Sequence, residues 1–178
     1  MYIHHAFAII ATVAFGALVA GNSHAEEGVL KVADLSFKSA APWKEVPPAS
    51  NMRAGTLEYK VEGVEKPLEA VFYYFGAGQG GDVEANVGRW LGQFQSPPES
   101  SREELTVGDK KVTLVHATGV FMDGPMFGAK EPKEGYTLLG AIVPAAEANV
   151  FIKLTGPKDV VAKVLEDFKK MVSSPFVK

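Results

Sequence analysis

An α+β fold, an antiparallel sheet flanked by helices, is predicted by three features of this 178-residue chain. Segments of strand composition dominate it, and short turns join most of them, which forces antiparallel pairing. Two segments instead carry apolar residues at helical spacing. The order of elements is strands, helix, strands, helix, so each helix must lay its apolar face on a sheet and make a sandwich.

The first 25 residues read as a secretory signal peptide. Met1 to His5 form a short polar start, Ala6 to Ala20 are uncharged, and Ser23 and Ala25 are the small residues that precede a cleavage point. The n-region lacks Lys and Arg, so an uncleaved anchor is the competing reading. A spanning helix needs about 20 strongly apolar residues, and this run is shorter and rich in Ala and Gly. Cleavage after Ala25 would leave residues 26–178 exported, to the periplasm or the exterior, with no membrane span in the mature form. Leu18-Val19-Ala20-Gly21 approaches a lipoprotein site, but Asn22 follows where a Cys is needed. The chain has no Cys, so a thioether lipid anchor and disulfides are both excluded.

Residues 26–178 are a single domain by length, long enough to bury about two thirds of their unfolded surface. They carry all the Lys, Arg, Asp and Glu, for a net charge of −3. Nucleic-acid binding would need a dense basic stripe, and none is present.

Residues 26–34 are a short polar lead without pattern. Leu35-Ser36-Phe37 alternates like the start of a strand. Pro42, Pro47 and Pro48 then break regularity, since each lacks a backbone donor and restricts its predecessor. Arg53 to Val61 has strand composition. Leu68 to Phe75 ends in a continuous aromatic run, which suits a central strand covered on both faces. Gly76 to Gly81 follows, then Asp82, a good helix N-cap. Val83, Val87, Trp90, Leu91 and Phe94 place a helix over 83–95, stopped by Pro97-Pro98. Leu105 to Val107 and Lys111 to Phe121 flank Gly108-Asp109, a hairpin signal. Met122 to Gly135 reads as a long loop, the kind that tends to be functional or mobile. Its Met126 and Phe127 would either fold back over the core or contact a partner. Tyr136 to Val143 and Asn149 to Thr155 are two further strands. Gly156-Pro157 opens the last helix, with Pro suited to its first turn. Val160, Val161, Val164, Leu165, Phe168, Met171 and Val172 form its apolar face.

Chemistry is scarce in this composition. After Ala25 the one histidine is His116, inside a probable strand. A Ser-His-Asp triad would need it, but no Gly-x-Ser-x-Gly elbow occurs, so it reads as a strand histidine at a sheet face. Zinc and copper want His and Cys clusters. Calcium needs only oxygens, yet the acids are scattered. No metal or other cofactor is expected.

Gly76-Ala77-Gly78-Gln79-Gly80-Gly81 fits a dinucleotide fingerprint literally. Hairpins rather than a βαβ series follow it, and Asp82 and Glu84 put negative charge where a pyrophosphate would bind. It reads as a connection needing positive φ. Asn86, Arg89 and Gln93 fall on one helix face, either a solvated surface or a recognition stripe whose Arg grips a carboxylate or phosphate. Arg53 and Trp43 would join that stripe if the fold brings them close; Trp43 alternatively caps the core.

Several segments together resemble a group of exported bacterial proteins of uncharacterised function. They are Phe37 with Pro42-Trp43, Pro47-Pro48 with Ser50-Asn51-Met52-Arg53, and Tyr73-Tyr74-Phe75-Gly76 with its glycines. Glu84-Ala85-Asn86, Arg89-Trp90-Leu91-Gly92-Gln93-Phe94 and Phe151 to Pro157 complete the set. More distantly, an early Phe with Pro-Trp, several strands and a closing helix are similar to the PsbP-like fold, an α/β/α sandwich. Its known members are accessory or assembly subunits of photosystem II and a nuclear-transport factor that binds a small GTPase. The resemblance implies binding or assembly without turnover, and it brings no catalytic residues.

The expectation is therefore an exported, non-catalytic binding or assembly protein with an unknown protein partner. The alternative is a periplasmic carrier of a small ligand, with the glycine loop and the helix stripe as its site. A hydrolase using carboxylates alone would need two acids in one cleft, and no pair can be placed. The candidate surface comprises Trp43, Arg53, Gly78, Gly80, Asn86, Arg89 and Gln93.

Overall fold

The computed structural model describes residues 28–125 and 128–177. The expected signal peptide and the Met126–Phe127 pair lie outside the described residues. Nine strands are described: β1 (Gly28–Val32), β2 (Leu35–Ser39), β3 (Trp43–Glu45), β4 (Gly55–Tyr59), β5 (Leu68–Tyr73), β6 (Glu99–Val107), β7 (Lys110–Asp123), β8 (Glu131–Pro144) and β9 (Asn149–Pro157). The helices are α1 (Val83–Leu91), α2 (Lys158–Ala162) and α3 (Leu165–Ser173), and a 3₁₀ turn (Ser174–Phe176) follows.

β1 and β2 form a separate hairpin. The other seven strands form one antiparallel sheet in the order β3-β4-β5-β9-β8-β7-β6. The topology follows from one long crossover. After β5 the chain passes through α1 to the far edge at β6. It then returns by short turns through β7 and β8, and β9 closes the gap beside β5. The α+β fold with an antiparallel sheet between helical layers is thus present as expected.

Each face of the sheet has its own core. On the first, α2, α3 and the β1–β2 hairpin cover Leu57, Leu68, Phe72, Val112, Leu139, Ile152 and Leu154. Phe37 of the hairpin meets Phe72 edge-on at 5.0 Å. Val161, Val164, Phe168, Met171 and Val172 fill the space from the helices, at the spacing that an amphipathic helix requires. On the second face α1 covers only part of the sheet. Trp90 and Phe94 pack on Val115, Ala117, Phe121, Leu138, Ile142 and Phe151.

Several elements depart from expectation, each for a local reason. The supposed patternless lead is β1; its Leu30 and Val32 are buried and alternate with Lys31, but the apolar Val29 is exposed and masks the period in so short a run. The three residues of β3 pair with β4 despite the neighbouring prolines. β6 begins at Glu99, not Leu105, because Glu99 to Glu104 form an exposed edge strand, and charged residues suit an edge by discouraging further pairing. The long loop expected from Met122 to Gly135 is not one throughout, since β7 runs to Asp123 and β8 starts at Glu131. Pairing in this arm slips between Gly119–Tyr136 and Phe121–Lys133, which puts one extra residue on β8 at Gly135, where φ is +64°. Such a bulge bends the arm. β5 is not covered on both faces throughout: Glu69 is exposed and Tyr73 half-buried. The final helix is two, broken at Lys163–Val164.

Candidate functional site

The part of the second sheet face left uncovered by α1 is where polar and aromatic side chains converge. Its frame starts with α1. The Asp82 carboxylate caps the helix by accepting from Ala85 N–H at 2.7 Å, satisfying one of the orphan donors of the first turn. Trp90 packs its indole against Gly140 of β8. A Cβ there would stand 2.3 Å from the indole Cζ3, so only glycine permits the approach. After α1 the chain is strapped to β7. Gln95 N–H donates to Val120 O and Met122 N–H to Gln93 O, both at 2.9 Å. Phe94 and Phe121 form a bridge, with their rings edge-to-face at 5.4 Å. The backbone of Gln93 is thereby fixed from two sides.

Gln93 holds the central residue of the site. Its Oε1 accepts from Lys153 Nζ at 2.9 Å. Lys153 lies mid-β9, in register between Val71 of β5 and Gly140 of β8. Its ammonium also sits 5.8 Å above the Phe121 ring, a favourable cation–π placement. An ammonium has three donors, and among the described residues Gln93 is its one hydrogen-bond partner. Burial pushes the Lys153 pKa below the usual lysine value; Asp123 opposes this, and Lys130 and Arg53 add to it. Asp123 is offset by Lys130 and Arg53 around this half-desolvated cation, and a further anion would favour its charged form.

Around Lys153 the face is part ionic and part aromatic. Arg53 donates to Glu69 Oε2 at 2.9 Å. Tyr73 has its pKa raised chiefly by burial, with Arg53 opposing and Glu69 adding. Tyr73 stacks on Phe75 at 6.3 Å, and Phe75 leans on Phe151. Phe75 is nonetheless 41% exposed, and Met52, next to Arg53 in the chain, is 55% exposed.

The expected residues divide accordingly. Arg53 and Gln93 border Lys153. Asn86 is buried, and it ties the glycine loop: its Nδ2 donates to Gly80 O and Asp82 O, both at 2.8 Å. Arg89 donates to Asn86 Oδ1 at 3.0 Å, so the stripe turns inward at Asn86 and reaches the site only at Gln93. In the loop, Gly76, Gly78, Gly80 and Gly81 all have positive φ. Gly80 is needed twice over, because a Cβ there would come within 2.8 Å of Phe151. Gly78 faces open space. Trp43 stands on the opposite sheet face, buried against Tyr59 at 4.8 Å, and does not join the others.

Lys153 escaped the sequence reading. Its signal was a lone charge in Val150-Phe151-Ile152-Lys153-Leu154, a strand otherwise apolar on both faces. Among the described residues no group of His, Asp and Glu is placed to hold a metal ion. Nor is any helix among them long and apolar enough to cross a membrane.

Among solved structures, the chain is similar to cyanobacterial PsbP (CyanoP) from Synechocystis sp. PCC 6803. The identity is 14%, the match covers 90% of this chain and 96% of that one, and the TM-score is 0.52. A second similarity is to LpqN of Mycobacterium tuberculosis, described as involved in cell envelope biogenesis, at 12% identity, coverage of 85% and 89%, and a TM-score of 0.44. No protein family and no curated protein matches the chain by sequence. The likeness to CyanoP establishes the PsbP-like fold.

Proposed function

We infer that this chain is an exported accessory protein that binds a partner without transforming it, and that the partner presents an anionic group to Lys153. The single observation that carries this reading is the state of that side chain. An ammonium drawn into a sheet face, with Gln93 as its one hydrogen-bond partner among the described residues and with Asp123 offset by Lys130 and Arg53, carries a desolvation cost that folding alone does not recover. It becomes favourable when a carboxylate supplies the missing charge and hydrogen bonds. On the same face the exposed ring of Phe75, which leans on Phe151 two residues before Lys153, offers the apolar contact that anchors an interface. The leader-like first 25 residues support export, with residues 26–178 as the working domain. The glycine loop frames this face and is not the ligand's cradle, because the Asn86 amide is already occupied in holding it.

Site-specific photo-crosslinking in the native cell envelope tests the reading. A benzoylphenylalanine placed at Phe75 should give a discrete adduct, and one placed at Ala162 on the opposite face should not. Lys153→Gln should abolish the Phe75 adduct while leaving the circular dichroism spectrum unchanged. An adduct that persists in Lys153→Gln, or no adduct specific to Phe75, would show the reading to be wrong.

A further inference from the structure

A cavity of about 280 Å³ lies on the other side of the sheet, between α3 and the overhanging strand β6. It is independent of Lys153. Leu114, Leu139, Leu165 and Phe168 supply apolar walls, and Ser101, Glu103, His116 and Lys169 are the polar lining. The strand register explains the arrangement: Ser101 lies directly opposite His116, and Glu103 opposite Leu114. β6 is an edge strand that α3 does not reach across, so the inward side chains of β6 and β7 face a gap. Lys169 of α3 spans one end by pairing with Glu103 at 2.8 Å.

We propose that this cavity binds a small amphipathic monocarboxylate, with its apolar body against Leu114, Leu139 and Phe168 and its carboxylate at Ser101 and His116. The volume equals that of about nine waters at ~30 Å³ each, which suits a ligand of a similar number of heavy atoms. The Glu103 carboxylate is paired with Lys169, and the other polar lining groups can each donate to a ligand: the Ser101 hydroxyl, the imidazole N–H and the remaining ammonium hydrogens. The groups that act on His116 are Lys158 and Lys169 from the helices and Glu99 from β6, with Glu103 further along the same strand. Burial and the two lysines hold the His116 pKa below its usual value, with Glu99 opposing. A carboxylate bound beside the ring would reverse that balance. His116 would then take up a proton on binding, and binding would tighten as pH falls.

The probe is octanoate added to the intact chain, read from the ring resonances of His116, which are identified by their loss in His116→Gln. Octanoate should shift them and raise the apparent pKa of the ring. Each unit of that rise corresponds to about tenfold tighter binding at acid than at alkaline pH. Ser101→Phe, at an exposed edge position, should fill the cavity and weaken binding at least tenfold, and octanoate binding to His116→Gln, followed by calorimetry, should lose its pH dependence. Three results would overturn the proposal: no shift at about 10 mM octanoate, where even a millimolar site is largely filled; equal binding of octanol; or full affinity in Ser101→Phe.

Discussion

Adding one methyl group at Gly140, the cross-strand neighbour of Lys153, should dislodge α1 and disturb the Lys153 site. The new Cβ would stand 2.3 Å from Trp90 Cζ3 and 2.5 Å from Cε3. Non-bonded carbons are comfortable at about 3.5–4.0 Å, so the indole must retreat by roughly an ångström. The atoms in conflict belong to a rigid ring over an interior strand of the sheet, so relief requires α1 itself to shift. Overpacking of this kind costs about 1–3 kcal/mol. For a domain of this size that lowers the melting temperature by about 2–4 °C per kcal/mol. Gly88→Ala is the internal control. It lies in the same helix with open space around it, so it should stabilise by about 0.5–1 kcal/mol. Denaturant unfolding followed by circular dichroism measures both. Gly140→Ala should also weaken the Lys153–Gln93 bond, because Gln93 follows α1 directly. A Gly140→Ala protein as stable as wild type would refute the packing argument.

Other consequences are simpler to state. Asn86→Ala strips two loop carbonyls and Arg89 of their partner, and should cost about 1–3 kcal/mol, seen by urea unfolding together with faster amide exchange over 76–82. Lys153→Met should raise stability at neutral pH by about 1 kcal/mol, near the lower end of what replacing buried charge achieves. The folded pKa of Lys153 is depressed, so the unfolded chain holds this proton more tightly. The penalty therefore persists at neutral pH and fades as pH rises from the folded value through the usual lysine value; the advantage of Lys153→Met should shrink over that alkaline window, measured by melting temperature against pH. The folded pKa of His116 is also depressed. Its contribution is fully present above the usual imidazole value of about 6.5 and is lost as pH falls toward the folded value, a slope that His116→Gln should remove from the acid limb of the stability curve.

Much of the architecture was legible because its periods are clear. Val83, Val87, Trp90 and Leu91 announce α1, and Asp82 marks its start, although the helix ends at Leu91 and Phe94 instead bridges to Phe121. Gly108-Asp109 sits at the turn of the β6–β7 hairpin, with Gly108 at φ +63°. The charged edge of β6 and the bulged β7–β8 arm were not legible, because exposed strands carry no apolar alternation and the glycines and prolines of the arm imitate a loop. The candidate site divides the same way. Arg53 and Gln93 could be named from a stripe and its neighbours, but what gathers them is the pairing of β9 between β5 and β8, a contact long-range in sequence. Asn86 looked like surface because helical spacing gives a face and not its surroundings; here that face turns toward the loop carbonyls. Trp43 sits three strands away from β9 on the reverse of the sheet, an outcome that local sequence does not encode.

The most direct test is the ionisation of Lys153 in the intact chain, followed by the NMR signals of its ε-methylene from neutral to alkaline pH. The titration is made once in chloride and once in acetate at equal ionic strength. Lys153 should lose its proton at lower pH than the exposed lysines, and acetate should move that midpoint upward by binding the ammonium. A Lys153 that titrates with the surface lysines and ignores acetate would contradict the assignment of this face as an anion receptor.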